Sequence, residues 1–264
     1  GRVWAQVPRA SVNDVNSAIS AAYATFHSAP WRSMFPSDRG KLLVRLADLI
    51  LENQEALASA ETADNGKLIV EMSTQVKYLA EWFRYFGGLA DKIEGRVLPI
   101  DKSGMLTYTR QAPLGVIAAI TPWNSPLLLA TWKLAPALAA GNTIVWKPSE
   151  FSSVSALIFG RLFKQAGFPD GAINIVTGYG HEIGDALVQH DHVAKVAFTG
   201  GDATGQRVYE SAAKGIKEVT LELGGKSANI VFADADIDNA VKGVISGIFA
   251  ASGQTCIAGS RALV

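Results

Sequence analysis

The chain holds one cysteine, Cys256, in the run Gly253-Gln254-Thr255-Cys256-Ile257-Ala258-Gly259. A lone cysteine is most often a small apolar core residue. Here glycines on both sides, in a loop after an apolar stretch, expose backbone N–H groups and leave room for a substrate, which favours a reactive thiol. Glu222 stands between Leu221 and Leu223 at the end of an apolar run. Burial there raises a carboxyl pKa and makes a general base; a buried carboxylate neutralised by Lys226 is the other reading, and both stay open. Asn124 precedes Ser125-Pro126. It either caps a helix whose first turn holds Pro126 or turns its amide into a cleft. Lys147 and Glu150 flank Pro148 and Ser149 and read either as a solvated pair or as ligands of ribose hydroxyls. The run Gly178-Tyr179-Gly180-His181-Glu182-Ile183-Gly184 misses the G-x-G-x-x-G pattern by one place, a decoy whose turn can still border a cofactor. Gly200-Gly201-Asp202-Ala203-Thr204-Gly205 leads into a helix, where bare N–H groups form an anion site for a pyrophosphate. Gln206-Arg207 after Gly205 excludes a Walker loop.

The elements that must position these residues follow from periodicity. Residues 1–100 read as helical: Ser11 and Asp14 open a first helix, Ser37 a second with a stripe of Leu42, Leu43, Leu46, Leu49 and Ile50, and a third spans 68–86 until Gly87-Gly88 stop it. Its aromatics, Tyr78 to Phe86, read as packing between helices rather than a ligand box. A hairpin is expected over 97–111, turning at Asp101–Gly104. From Leu114 onward short apolar runs (114–120, 143–147, 173–177, 195–200, 218–223 and 229–232) alternate with helix-length segments near 126–140, 152–166, 181–190, 203–214 and 236–251. That alternation predicts βαβ units and a parallel sheet covered on both faces. Ligands of such sheets bind at the carboxyl ends of the strands, where the residues above lie.

Composition removes other classes. The 264 residues balance 24 Lys+Arg against 24 Asp+Glu, so no basic surplus points to nucleic acid or an anionic membrane. With 48% hydrophobic and 18% charged residues the chain is not disordered, and one cysteine excludes a disulfide scaffold. No membrane-length apolar run, signal peptide or repeat is found, so a soluble, cytoplasmic protein is expected.

Taken together, the motifs resemble the aldehyde dehydrogenase superfamily. The segments 121–126, 146–150, 197–201, 221–227 and 253–261 fall in the family's order and spacing, and 30–50 is similar to its helical start. The resemblance implies an α/β fold. Residues 1–96 are then the N-terminal helical part of the cofactor-binding domain and 97–112 the hairpin of an oligomerisation arm. Residues 113–224 are a Rossmann-type NAD-binding domain, and 225–264 begin a catalytic domain with the nucleophile loop. It implies oxidation of a small-molecule aldehyde to a carboxylic acid. Cys256 attacks to give a thiohemiacetal, Asn124 and the Cys256 N–H hold the oxyanion, hydride passes to NAD, and Glu222 activates the water that hydrolyses the thioester. The cofactor contacts it implies are Thr121, Pro122, Trp123, Lys147, Pro148, Ser149, Glu150, Gly180, Phe198, Thr199, Gly200, Gly201, Gly205, Leu223 and Gly224. Ser125, Leu129 and Trp132 line a substrate tunnel, and no metal is needed. Glu150 repels a 2′-phosphate and favours NAD, while Lys147 leaves NADP open. The resemblance also implies a homo-oligomer.

Some features depart from the family pattern. Gly201 stands where many relatives carry Ser, Asp202 adds negative charge, and Ser125 replaces a bulky aromatic. Family members run nearly twice as far, so a partial, poorly active chain is expected. A CoA-acylating relative and a non-catalytic cofactor-binding fragment are the alternatives; Glu222 argues against the first. The aldehyde itself is not named by the sequence.

Overall fold

The computed structural model describes residues 2–264. Five helices come first: α1 (Val12–His27), α2 (Ala29–Arg32), α3 (Pro36–Glu52), α4 (Gln54–Asn65) and α5 (Ile69–Leu89). At the start of α1, Ser11 Oγ accepts from Asp14 N while the Asp14 carboxylate accepts from Ser11 N at 2.7 Å, a reciprocal capping box. The sequence reading had no counterpart for α2 and α4. One is a single turn; the other buries Leu57, Ala58, Ala60 and Glu61, too small and polar a face to read as an apolar stripe. Contrary to expectation, Gly87 and Gly88 do not end α5. A Cβ on Gly87 would stand 2.9 Å from the Gly40 carbonyl oxygen, so this glycine lets α3 and α5 meet backbone to backbone.

The hairpin is shorter than expected: β1 (Val97–Leu98) and β2 (Thr107–Tyr108) pair antiparallel through Val97↔Tyr108 and Leu98↔Thr107. Then comes the expected alternation. It runs β3 (Val116–Ile120), α6 (Pro126–Ala139), β4 (Thr143–Lys147), α7 (Val154–Ala166), β5 (Ile173–Ile175), α8 (Gly180–Gln189), β6 (Val193–Thr199), α9 (Asp202–Ala213) and β7 (Glu218–Glu222). These five strands form one parallel sheet in the order β5-β4-β3-β6-β7. Successive residues of β3 serve opposite cores. Ile117 and Ala119 pack with α3, α5, α6 and α7, whereas Val116 and Ala118 pack with α1, α8 and α9. A strand buried on both faces needs this unbroken apolar run.

The 229–232 strand lies elsewhere. As β8 (Ala228–Ile230) it pairs in parallel with β9 (Arg261–Leu263) in a separate two-stranded sheet. Between them α10 (Ile237–Phe249) ends earlier than expected and gives way to a tight turn, Ala250–Gly253, with left-handed residues. No helix among the described residues is long and apolar enough to cross a membrane.

Candidate active site

The sheet order reverses beside β3: the chain winds outward through β4 and β5, then returns to add β6 and β7 on the other side. Loops that leave the carboxyl ends of β3 and β6 therefore diverge, and a cleft opens between them. That cleft is a groove of about 640 Å³. Thr121, Pro122 and Trp123 after β3 line it, with Lys147 at the end of β4 and Ser149 and Glu150 beyond it. Phe198, Thr199, Gly200 and Gly201 at the end of β6 and Gly180 at the start of α8 complete the expected set. Four expected contacts, Pro148, Gly205, Leu223 and Gly224, do not line the groove. Gly205 lies on the buried face of α9, where an added Cβ would meet Leu223 Cδ2 at 2.6 Å.

Lys147 is held inside the groove wall. Its ammonium donates to the Pro148 carbonyl at 3.0 Å and lies 3.5 Å from Glu150 Oε2, with only 4% of its side chain exposed. Burial lowers its pKa, against the pull of Glu150. So the pair is neither solvated nor free, and the Glu150 carboxylate, 29% exposed, faces the groove. Thr121 is buried and its hydroxyl accepts from Trp146 Nε1 at 2.9 Å, which anchors the loop after β3. At the start of α9 no side chain caps the helix, and space beside Gly201 is open, so its N–H groups face the groove unblocked.

The expected nucleophile loop comes to the same edge. Asn124 does not cap α6; Ser125 occupies that place, without a side-chain capping bond. Instead Asn124 Nδ2 donates to the Gln254 carbonyl at 2.9 Å, across 130 residues. Cys256, two residues further, is exposed. Its thiol is therefore not packed in hydrocarbon.

Glu222 departs from expectation. It is exposed, and Lys226 donates to the Gly225 carbonyl at 3.2 Å rather than to it. The reason is topological: β7 is the edge strand of the sheet and its residues alternate between exposed and half-buried. The carboxylate nevertheless acts electrostatically on a residue that the sequence reading missed, Lys133 of α6. Burial pushes the Lys133 ammonium down to about 8, Glu222 draws it upward, and its Nζ donates to the Thr199 hydroxyl. A lysine one residue beyond Trp132 in an apolar helix was the available signal. Arg207 and Lys214, also missed, line the groove from α9 and the residue just after it.

The three tunnel positions separate. Leu129 is buried, Trp132 is 44% exposed and packs edge-on against Trp82 at 5.9 Å, and Ser125 is buried with its hydroxyl accepting from Lys67 Nζ at 2.7 Å. Ser125 thus faces the interior.

An open parallel sheet with a cleft at the reversal of its strand order defines an α/β protein with a ligand-sized groove at its strand ends. Comparison with known proteins places this one. The model of the aldehyde dehydrogenase family matches residues 1–264, and the chain belongs to that family. It is 48% identical over its whole length to (Z)-2-((N-methylformamido)methylene)-5-hydroxybutyrolactone dehydrogenase from Acinetobacter baylyi, covering 54% of that protein. Among solved structures, PnpE in complex with nicotinamide adenine dinucleotide is 48% identical with a TM-score of 0.96, the match spanning 99% of this chain and 53% of that one. The NAD+ complex of an aldehyde dehydrogenase from Bacillus cereus is 45% identical with a TM-score of 0.94, over 96% and 52%. The chain thus spans about half the length of the relatives it matches.

Proposed function

We propose that the protein carrying this chain is an NAD-dependent aldehyde dehydrogenase of the hydrolytic type. The observation that carries the reading is the hydrogen bond from Asn124, the residue after groove-lining Trp123, to the backbone of the Cys256 loop. The groove fits a dinucleotide: the open start of α9 suits a pyrophosphate, and Glu150 suits ribose hydroxyls while opposing a 2′-phosphate. Lys147, Ser149, Gly180, Phe198, Gly200 and Gly201 would hold NAD, which when bound supplies a hydride acceptor. NAD complexes among the structural relatives support this choice.

The chain's own residues then divide the work. Cys256 Sγ attacks the aldehyde carbon, and the Asn124 amide with the Cys256 N–H stabilises the developing oxyanion, where one donor is worth about 10²–10³ in rate. After hydride departure the acyl group rests on sulfur as a thioester. Glu222 takes a proton from the water that hydrolyses it, releasing the carboxylic acid and the thiol. Lys133, half-buried and bonded to Thr199, accompanies that carboxylate as its charge partner. Residues 1–96, 113–224 and 225–264 divide into helical, cofactor and incipient catalytic parts on this reading. The exposed apolar residues of the 97–112 arm, Val97, Leu98, Leu106 and Tyr108, suit contact with another subunit. A free, exposed thiol suits a reducing, cytoplasmic setting.

The test is NAD binding and aldehyde-dependent NADH formation by the natural protein carrying this sequence, with Cys256→Ala as control. Binding retained and turnover abolished in the variant is the expected result; turnover without the thiol would overturn the reading. Acid rather than acyl-CoA as product separates the hydrolytic type from the acylating one.

A further inference from the structure

Asn124 and the Cys256 loop are joined by more than one hydrogen bond, and the extra bonds run through a residue outside the groove. Asn65, at the end of α4, donates through Nδ2 to the Asn124 carbonyl at 3.2 Å. Asn124 donates through Nδ2 to the Gln254 carbonyl at 2.9 Å. Gln254 donates through Nε2 to the Asn65 carbonyl at 3.3 Å. Each residue gives a side-chain amide proton to the backbone of the next, and the third bond returns to the first. Three segments separated by 59, 130 and 189 residues are thereby closed into one ring.

The ring's handedness is set by Asn65. Its Oδ1 accepts from Lys67 N at 2.9 Å, so Nδ2 is the atom left facing Asn124. A flipped amide would set donor against donor and acceptor against acceptor. Gly66 between them adopts φ +76°, the left-handed turn that brings the Lys67 N–H round to Asn65. Beneath the ring, Lys67 Nζ holds Ser125 at 2.7 Å and Glu61 Oε1 accepts from Leu127 N at 3.4 Å, so the residues after Asn124 are fixed as well.

The nucleophile loop needs such an outside tether. Ala251, Ser252 and Gly253 have φ of 54°, 57° and 69°, three successive left-handed residues of which two carry a Cβ. Such a conformation crowds the Cβ of an L-residue against its own backbone and persists only where surroundings impose it. Glu71 Oε1 accepts from Ala251 N at 2.9 Å on one side of this turn, and the ring holds Gln254 on the other.

We propose that Asn65 is a positioning residue for the dehydrogenase reaction: by closing the three-amide ring it holds the Asn124 side chain in register with the Cys256 loop. The inference rests on the dehydrogenase reading above. Asn65 acts through its neighbours and touches no reacting atom, so its loss changes the rate of acylation and leaves the nucleotide groove alone.

The experiment compares Asn65→Asp, Asn65→Ala and the parent in the natural protein carrying this sequence. Asn65→Asp keeps the acceptor for Lys67 N and replaces the donor to Asn124 by a second oxygen; Asn65→Ala removes both without adding charge. Three quantities are measured: the rate of the first-turnover NADH burst with saturating aldehyde, the Kd for NAD, and the KM for NAD. Both variants are expected to slow the burst by about tenfold or more, as small misplacements at a reacting centre do, with Kd and KM for NAD unchanged. A burst within twofold of the parent in both variants overturns the proposal and leaves the dehydrogenase reading standing. Loss of NAD binding together with the burst overturns it too, because Asn65 then supports the fold at large. A parent that binds NAD but gives no burst refutes the dehydrogenase reading itself, and the inference with it.

Discussion

Replacing Glu61 by glutamine removes a titration that the fold has displaced upward. Glu61 is 0% exposed on α4; among the described residues its Oε1 accepts only the Leu127 N–H, at 3.4 Å, and its Oε2 has no partner. Burial raises its carboxyl from the ordinary 4.5 to about 7; the Leu127 N–H and Lys67 oppose the rise, and Asp64 adds to it. The folded chain holds this proton more tightly than the unfolded chain does. Its stabilisation is therefore full below about pH 4.5 and is lost as pH climbs to about 7. At 1.36 kcal/mol for each pH unit the loss amounts to roughly 3 kcal/mol. Glutamine cannot titrate. The unfolding free energy of Glu61→Gln minus that of the parent should shift in the variant's favour by about that amount between pH 4.5 and 7.5, then level off. For a chain of this size about 3 kcal/mol corresponds to a change of roughly 6–12 °C in the Tm difference. Urea unfolding at half-unit pH steps reads the curve directly. A difference between variant and parent that stays constant within about 0.5 kcal/mol across that window refutes the argument, since extrapolation error alone is of that order. The offset of the two curves is a separate matter, set by what Lys67 loses when its neighbouring carboxylate is gone.

Asn124→Ala should lower the burst rate by about 10²–10³ while the Kd for NAD holds; an unchanged burst removes the oxyanion role. Glu222→Gln should leave the first NADH burst intact and stall the steady state, so equal steady-state rates in variant and parent would end the assignment of the base. Glu150→Gln takes away a carboxylate that faces the groove at 3.5 Å from Lys147. Two like charges about 4 Å apart interact by roughly 1–4 kcal/mol. The preference for NAD over NADP, taken as a ratio of kcat/KM values, should therefore fall by about tenfold or more, and a ratio that does not move places the discrimination elsewhere.

The amino-acid sequence by itself determined five strands of the sheet and the helices between them, but could not tell that the 229–232 run belongs to a separate sheet. Val116–Ile120 and Thr143–Lys147 are apolar runs bounded by helix-length segments, and only strands buried on both faces call for such runs in a chain of this composition. The capping box at Ser11 was equally legible, because a cap is a contact between residues three apart. Glycines were harder: the Gly87-Gly88 pair is a stop signal when read locally, and only the approach of α3 shows Gly87 to be a contact point. The same limit applied to Glu222, whose leucine neighbours suggest burial, while its place on an edge strand exposes it.

Tertiary structure alone decided how the site is joined. Local chemistry marked Asn124 and Cys256 separately and only the family resemblance joined them; the bond from the amide of one to the backbone of the other's loop is a fact of tertiary structure. Lys67, Glu61 and Asn65 carry no local signature of the site, and Lys133 has only its place beside Trp132 in an apolar helix. Their side chains reach it because α4, the start of α5 and α6 come together beneath the loop after β3, and buried polar groups there must find partners across the chain. Periodicity reports which face of an element leaves water. It does not report which distant polar atom will satisfy a buried one, because that depends on how the elements are stacked and not on the order in which they are strung.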